Sequence, residues 1–330
     1  MSRGLVFGKF MPLHRGHELL IERAVEASGA VTIVVYDSSP PGEYPAMPLE
    51  LRARWIAELF PNIEAVVPLP DPRRDANDGD DPRHAELYAG QLAFLGQFDR
   101  VFSGEPRYER FAHLMEAEHV VVEEARSVPI SGTAIREDVY SHRAWLDPQV
   151  YATLIRKIAI VGTESTGKST LAEELARRLE TLWAPEYGRE LWVGQGGGAS
   201  FADYLKIART QHRREEELRC DARRFLFCDT TPWTTLHWCL WMQGTADPRL
   251  QELADRTMGD YTWFLCADDF AWVQDGSREM SDGRARRFQE QQVADLEARG
   301  VPHVTLDGSL EDRVSVTLRE LGALTTESVR

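Results

Sequence analysis

The stretch that decides the fold of the second half of the chain is 162–169, Gly-Thr-Glu-Ser-Thr-Gly-Lys-Ser. It matches the Gly-x-x-x-x-Gly-Lys-Ser phosphate loop, whose glycines let successive backbone N–H groups point at a phosphate. An apolar run, 157–161, precedes it, and leucines at helical spacing follow over 168–182. This strand, loop and helix predict a parallel α/β domain that binds ATP. The predicted nucleotide contacts are Gly162, Glu164, Ser165, Thr166, Gly167, Lys168, Ser169 and Thr170.

Side chains with catalytic chemistry accompany this loop. Lys168 is expected to reach the β- and γ-phosphates. Ser169 and Asp229, which follows the apolar run 224–228, are predicted Mg²⁺ ligands, although a strand-end Asp can instead cap the next helix. Glu186 lies about twenty residues past the loop, where a carboxylate can accept the proton of a substrate hydroxyl. A surface ion pair is the alternative for Glu186 and the neighbouring Arg189.

A polar segment near 280 carries arginines that suit a lid over the transferred phosphoryl group. Arg284 and Arg287 would neutralise its charge, and the turn 275–278 would be the hinge. The alternative is a solvated helix start.

The first half begins with a different signature over residues 8–17. His14 and His17 are three residues apart at a predicted helix start, so their rings share one face and can donate hydrogen bonds to an α-phosphate. The segment 130–136, Ile-Ser-Gly-Thr-Ala-Ile-Arg, has two hydroxyls and an Arg suited to the β- and γ-phosphates of ATP, although its Ser can also be a simple helix cap. The predicted nucleotide contacts here are Gly8, Lys9, Phe10, Gly16, Ser131 and Thr133, with His14, His17 and Arg136 as catalytic groups.

Composition limits the class of protein. The 330 residues carry 53 acidic and 38 basic side chains, a formal net charge of −15, which argues against nucleic-acid and anionic-membrane binding. The four cysteines form no Cys-x-x-Cys pair, and neither a signal peptide nor a membrane-spanning stretch is recognisable. We therefore expect a cytoplasmic protein with reduced thiols, and a homo-oligomer is compatible with the sequence.

Strand and helix patterns alternate along both halves, which predicts parallel sheets with right-handed crossovers. A new buried strand begins near residue 157, so we predict two domains, 1–154 and 155–330. The signatures at residues 8–17 and 162–169 indicate that the first is a Rossmann-like nucleotidylyltransferase domain and the second a P-loop kinase domain.

Together these motifs resemble the NadR-type bifunctional proteins of NAD synthesis. The resemblance covers nearly the whole chain and includes 8–10, 14–17, 130–136, the phosphate loop, 186–190, 229–230 and 272–276. It implies that the second domain phosphorylates nicotinamide riboside with ATP, and that the first joins the mononucleotide to AMP, giving NAD and pyrophosphate. It also implies mononucleotide contacts from Ser103, Glu105 and Tyr108, with Arg52 and Trp55 as weaker candidates, and riboside contacts from Tyr187 and Arg189.

Two departures from the family pattern matter. Some relatives carry an N-terminal helix-turn-helix domain, whereas this chain begins at the transferase strand, so we expect no operator binding. Relatives often have Trp before the kinase Glu, where this chain has Pro185, and Trp183 or Tyr187 would have to stack on the nicotinamide ring. A nucleotide-sensing regulator with one active site, or a transferase for another acceptor such as nicotinate mononucleotide, are the alternatives.

Overall fold

The computed structural model describes residues 2–37, 46–72, 83–269 and 282–327. It divides into two compact units, unit 1 (Met1–Tyr151) and unit 2 (Ala152–Thr326). Among the described residues, each helix is either too short or too polar to span a membrane.

Unit 1 is a doubly wound sheet of five parallel strands. Its strands are β1 (Arg3–Gly8), β2 (Ala30–Asp37), β3 (Ala65–Pro70), β4 (Arg100–Ser103) and β5 (Glu118–Val121). Its helices are α1 (Arg15–Ala27), α2 (Leu49–Leu59), α3 (Arg83–Leu92), α4 (Glu109–Leu114), α5 (Glu123–Ser127), α6 (Gly132–Glu137) and α7 (Pro148–Thr153). The strand order is β3-β2-β1-β4-β5, so the chain winds outward in both directions from β1.

Unit 2 repeats the parallel architecture with another order, β10-β9-β6-β8-β7. Its strands are β6 (Arg156–Val161), β7 (Leu182–Ala184), β8 (Phe225–Asp229), β9 (Tyr261–Cys266) and β10 (His303–Leu306). Its helices are α8 (Lys168–Arg178), α9 (Tyr187–Gly194), α10 (Phe201–Arg219), α11 (Pro232–Gln243), α12 (Pro248–Thr257), α13 (Asp282–Ala298) and α14 (Leu310–Glu327). These two sheets confirm the predicted fold class.

The central strands β1 and β6 position the two loops of interest. Each has neighbours on both sides, and Leu5, Ile158 and Ile160 are fully buried, as expected for strands covered on both faces. Each runs directly into a loop and then a helix, so both loops lie at the carboxyl edge of a sheet, where ligands bind in open α/β folds.

One element is shorter than its sequence pattern predicts. The leucine repeat predicts a helix to residue 182, but α8 ends at Arg178 and Leu182 begins β7. Glu180 takes a left-handed conformation (φ 50°), which breaks the helix and turns the chain into the strand. Leu182 extended the helical pattern of leucines by coincidence. Strands bury leucine as helices do, and Leu182 is apolar because it belongs to β7.

Candidate nucleotide sites

The phosphate loop of unit 2 has the backbone that its glycines predict. Gly162 has φ 140°, and a Cβ there would lie 2.8 Å from the Cys266 carbonyl oxygen. Gly167 has φ 77° and caps α8. Both conformations disfavour a side chain, so these glycines are required for the shape of the loop.

Three side chains, two from the loop and one from α13, hydrogen-bond to the backbone of Thr163. The Lys168 ammonium donates to the Thr163 carbonyl at 2.7 Å, and the Thr166 hydroxyl donates to the same oxygen at 2.9 Å. The Thr163 N–H in turn donates to the Gln289 side chain at 2.7 Å. The conformation of the loop is therefore held by hydrogen bonds within the loop and from α13.

Asp229 and Ser169, the two predicted Mg²⁺ ligands, meet beside the loop. Asp229 is buried at the end of β8, and Ser169 hydrogen-bonds to it. Burial raises the pKa of Asp229, while Lys168 and the Ser169 hydroxyl oppose the rise. Buried polar atoms without a hydrogen-bond partner among the described residues cluster in these segments: Thr163 Oγ1, Ser165 Oγ and Asp229 Oδ1. Orphaned oxygens of this kind fit a hard cation and its phosphate ligands.

Glu186 faces the same end of the loop. It lines a cavity together with Lys168 and Arg189, and Arg189 Nε lies 3.8 Å from its carboxylate. Burial, followed by the charge of Asp229, raises the pKa of Glu186 to about 7, and Lys168 and Arg189 oppose this. A carboxylate poised near neutrality is suited to take a proton from a hydroxyl group.

The cavity is enclosed by α9, α10, α11 and the phosphate loop, with a volume of about 250 Å³. Its polar lining includes Glu164, Lys168 and Glu186, and its apolar lining includes the rings of Trp192, Tyr204 and Trp238. None of these three aromatic residues was predicted from the sequence, and neither were Met242 and Gln243, which also line the cavity. The cavity therefore suits a flat ring attached to a group that reaches the loop.

Neither aromatic residue proposed from the sequence for stacking lines this cavity. Trp183 lies on β7 and packs against the core of unit 2. The Tyr187 ring lies against the Arg214 guanidinium at 4.6 Å, and the backbone N–H of Tyr187 donates to the side-chain oxygen of Gln211. Trp192, one and a half turns further along α9, takes a cavity-lining position instead.

Two side chains distant in sequence hydrogen-bond to the phosphate loop, and no local sequence pattern predicted either contact. Gln289 of α13 binds Thr163 N–H and donates to the Cys266 carbonyl at 2.7 Å. Arg313 of α14 is 1% exposed and donates to the Thr166 carbonyl at 2.6 Å. It also binds Asp269.

The arginines predicted for a lid begin α13. Arg284 and Arg287 are exposed, and the Arg284 guanidinium lies 5.9 Å from the Trp241 ring centre. The predicted hinge, 275–278, and the family segment 272–276 lie outside the described residues. Thr170, predicted to contact the nucleotide, is exposed on the first turn of α8.

In unit 1 the two histidines stack at the start of α1. Their ring centres are 3.8 Å apart, and burial lowers the pKa of His14 to about 4. Burial and the neighbouring His14 lower the pKa of His17, so both rings are neutral at pH 7. His14 Nδ1 accepts the Gly16 N–H at 3.1 Å, which leaves Nε2 to carry the ring proton and donate it to a ligand.

The segment 130–136, predicted to hold the outer phosphates of ATP, lies beside the loop that carries the two histidines. Arg136 donates to the Met11 carbonyl at 2.7 Å and to the Thr133 hydroxyl at 3.1 Å. A Cβ on Gly132 would lie 3.2 Å from that Met11 oxygen and 3.8 Å from His14 Nε2. Ser131 caps α6, accepting the Ala134 N–H, so its capping role is present in the structure.

The remaining predicted contacts near β1 differ in exposure. Gly8 ends the strand, Lys9 is exposed, and the Phe10 ring is buried 5.0 Å from the ring of His17. Gly16 is buried, and a Cβ there would lie 3.0 Å from a carbonyl oxygen of α5, so its small size serves helix packing.

Arg52 is fully buried and donates to backbone carbonyls at Lys9, Tyr36 and Met47. With Trp55 2% exposed, neither weaker candidate has a free surface for a mononucleotide.

The three residues implied by the family resemblance lie at the end of β4 and just after it. Ser103 is buried, and its hydroxyl pairs with His119 Nε2 at 2.8 Å. Glu105 follows it, and the Tyr108 ring packs edge-on against Phe7 at 5.0 Å. This group shares the carboxyl edge of the sheet with the two histidines.

Comparison with known proteins agrees with this architecture. Residues 157–313 match a family model described as an AAA domain. The trifunctional NAD biosynthesis/regulator protein NadR of Escherichia coli (strain K12) is 30% identical over 334 residues, covering 92% of this chain and 78% of that protein. A crystal structure of NadR with NAD and AMP-PNP is 20% identical, covers 98% of this chain and 96% of that one, and has a TM-score of 0.62. A second, of NadR with NR, is 22% identical, with coverages of 93% and 91% and a TM-score of 0.60.

The parallel sheets, the phosphate loop and these relatives define a nucleotide-binding, nucleotide-transferring enzyme. More particularly, the chain belongs to the NadR family, and its place is in NAD biosynthesis.

Proposed function

We propose that unit 2 phosphorylates nicotinamide riboside with ATP and that unit 1 transfers the adenylyl group of a second ATP to the mononucleotide, giving NAD and pyrophosphate. The observation that carries the first reaction is the cavity of unit 2, whose lining includes Lys168 and Glu186 as well as Trp192 and Trp238. A riboside placed there would direct its 5′-hydroxyl group towards the phosphate loop and its ring towards the tryptophans.

In the phosphorylation, the 5′-hydroxyl oxygen attacks the γ-phosphorus of ATP. The bond from that phosphorus to the β,γ-bridging oxygen breaks, ADP leaves, and the hydroxyl proton passes to the Glu186 carboxylate. Lys168 exchanges the Thr163 carbonyl for phosphate oxygens, and Arg189 faces the growing charge. Asp229 and Ser169 would hold Mg²⁺, which when bound neutralises phosphate charge.

In the adenylyl transfer, a phosphate oxygen of the mononucleotide attacks the α-phosphorus of ATP. The bond to the α,β-bridging oxygen breaks and pyrophosphate leaves. His14 Nε2 and His17 donate hydrogen bonds to the α-phosphate as charge develops there, while Ser131 and Arg136 hold the outer phosphates. The support is the contact of segment 130–136 with the histidine loop through the Met11 carbonyl. No protein nucleophile is required, because the acceptor supplies its own.

The test supplies nicotinamide riboside, ATP and Mg²⁺ and follows the mononucleotide and NAD by chromatography. Lys168→Ala should abolish phosphorylation and leave adenylyl transfer from added mononucleotide intact. His17→Ala should slow adenylyl transfer by about 10² and leave phosphorylation intact, because it removes a transition-state donor. Loss of both activities in either variant would contradict separate sites, and an inactive wild-type protein would favour a regulator. Nicotinate mononucleotide, offered in parallel, tests the alternative acceptor.

A further inference from the structure

Gln289 connects helix α13 to the phosphate loop at a single residue. Its side-chain oxygen accepts the Thr163 N–H at 2.7 Å, and its side-chain nitrogen donates to the Cys266 carbonyl at 2.7 Å. Thr163 then binds the Lys168 ammonium through its own carbonyl, also at 2.7 Å. Gln289 and Lys168 therefore hold the two polar backbone groups of the same residue.

The two bonds of Gln289 need an acceptor and a donor in one short, planar group. Gln289 is 7% exposed, so water is a poor substitute for either bond. A carboxylate would place an oxygen against the Cys266 carbonyl, and an aliphatic side chain would leave a buried N–H and a buried carbonyl unpaired. The amide is therefore specifically suited to joining the end of β9 to the loop.

We propose that Gln289 is a positioning residue for the ATP site of unit 2. By holding Thr163 it sets the loop conformation in which Lys168 and the backbone N–H groups receive the triphosphate. It also fixes α13 relative to the loop, and with it Arg284 and Arg287, which precede it by less than one and a half turns. This inference rests on the proposed kinase function of unit 2, and it adds to that function a residue that touches no substrate.

The chain offers a matched control in Gln292, one turn further along α13. Gln292 is fully buried, and among the described residues its side-chain amide has no hydrogen-bond partner. Gln289→Leu and Gln292→Leu therefore make the same chemical change on the same buried helix, but only the first breaks bonds to the loop.

Steady-state kinetics of both reactions provide the test. Gln289→Leu should raise KM for ATP in phosphorylation by about tenfold, because of its two bonds only the one to Thr163 N–H holds the loop, and tenfold is the scale of one lost buried hydrogen bond. KM for nicotinamide riboside, and KM for ATP in adenylyl transfer, should stay unchanged. Gln292→Leu should change none of the three. Equal effects of the two variants, or an equal rise in both substrates' KM for phosphorylation, would reduce Gln289 to a packing residue and overturn the inference.

Two further arms keep the outcome decisive. If Gln289→Leu does not fold, Gln289→Glu retains the acceptor for Thr163 and should show the same selective rise in KM for ATP. If the wild-type protein phosphorylates no riboside, the proposed function fails, and ADP affinity measured by calorimetry becomes the readout, with Lys168→Ala as the baseline. Equal ADP affinity in the wild-type protein and the Gln289 variant would then refute the inference by itself.

Discussion

Replacing Glu215 by Gln should make unit 2 less sensitive to rising pH. Glu215 lies on α10 at 0% exposure, far in sequence from the phosphate loop, and accepts the Tyr261 hydroxyl at 2.6 Å. The Lys157 ammonium is 3.4 Å away and also pairs with Glu216 and Asp260, so it keeps partners in the variant. Burial raises the pKa of Glu215 from 4.5 to about 7, and Lys157 opposes the rise.

The sign follows from that raised pKa. The fold favours the protonated carboxyl group, so this contribution to stability is fully present below pH 4.5 and is lost as the pH rises through about 7. A shift of this size, at about 1.4 kcal/mol per pKa unit, amounts to about 3 kcal/mol. A Gln side chain does not ionise, so the variant lacks this loss. The difference in the free energy of unfolding between the variant and the wild type should therefore be about 3 kcal/mol larger at pH 8 than at pH 4.5.

Urea unfolding at several pH values, followed by tryptophan fluorescence, measures this difference. Seven of the nine tryptophans lie within 152–326, so the signal is dominated by unit 2. Glu217→Gln on the same helix is the control, because Glu217 is 62% exposed and should give a curve parallel to the wild type. Parallel curves for Glu215→Gln as well would refute the reasoning, since they would mean that Glu215 ionises as easily in the folded as in the unfolded chain.

Three other substitutions test the two sites. Gly162→Ala should abolish phosphorylation and leave adenylyl transfer intact, because its Cβ would meet the Cys266 carbonyl at 2.8 Å at a φ of 140°; measurable phosphorylation at the wild-type rate would contradict this. Gly132→Val should reduce NAD formation from the mononucleotide by about 10² without slowing phosphorylation, because its side chain crowds His14 Nε2. Measured rates of both reactions test this, and an unchanged rate of NAD formation would contradict it. Trp192→Leu should raise KM for nicotinamide riboside by about tenfold without changing KM for ATP, and an unchanged riboside KM would exclude stacking there.

Local motifs predicted the parts of the sites whose backbone they determine. The loop 162–169 contains its own glycines, and the topology of a parallel sheet brings every strand's carboxyl end to one edge. The histidine loop and the phosphate loop both follow a central strand, so their place at the carboxyl edge of a sheet could be predicted, whereas the hydrogen bond from Arg136 to the Met11 carbonyl became apparent only from the structure. The fold class followed from the same alternation of strands and helices.

Side-chain direction could not be predicted in the same way. Tyr187 and Trp192 are both aromatic residues of α9, yet only Trp192 lines the cavity, because the Tyr187 ring packs against Arg214 from the adjacent helix. Arg52 looked available for a phosphate, but three backbone carbonyls occupy its guanidinium group. Gln289 reaches Thr163 across 126 positions, and no spacing rule connects such residues before the tertiary structure is known.

The bond from Lys168 to the Thr163 carbonyl bears on which anions the loop selects. An incoming anion competes with the Thr163 carbonyl for the Lys168 ammonium, so part of its binding free energy is lost in displacing that carbonyl. A single inorganic phosphate would recover little beyond the bond that the lysine already makes, whereas a triphosphate would also engage the backbone N–H groups of the loop and the Mg²⁺ that we propose at Asp229 and Ser169. We therefore expect the loop to prefer ligands that carry several charges, and small anions such as inorganic phosphate to compete weakly at this site.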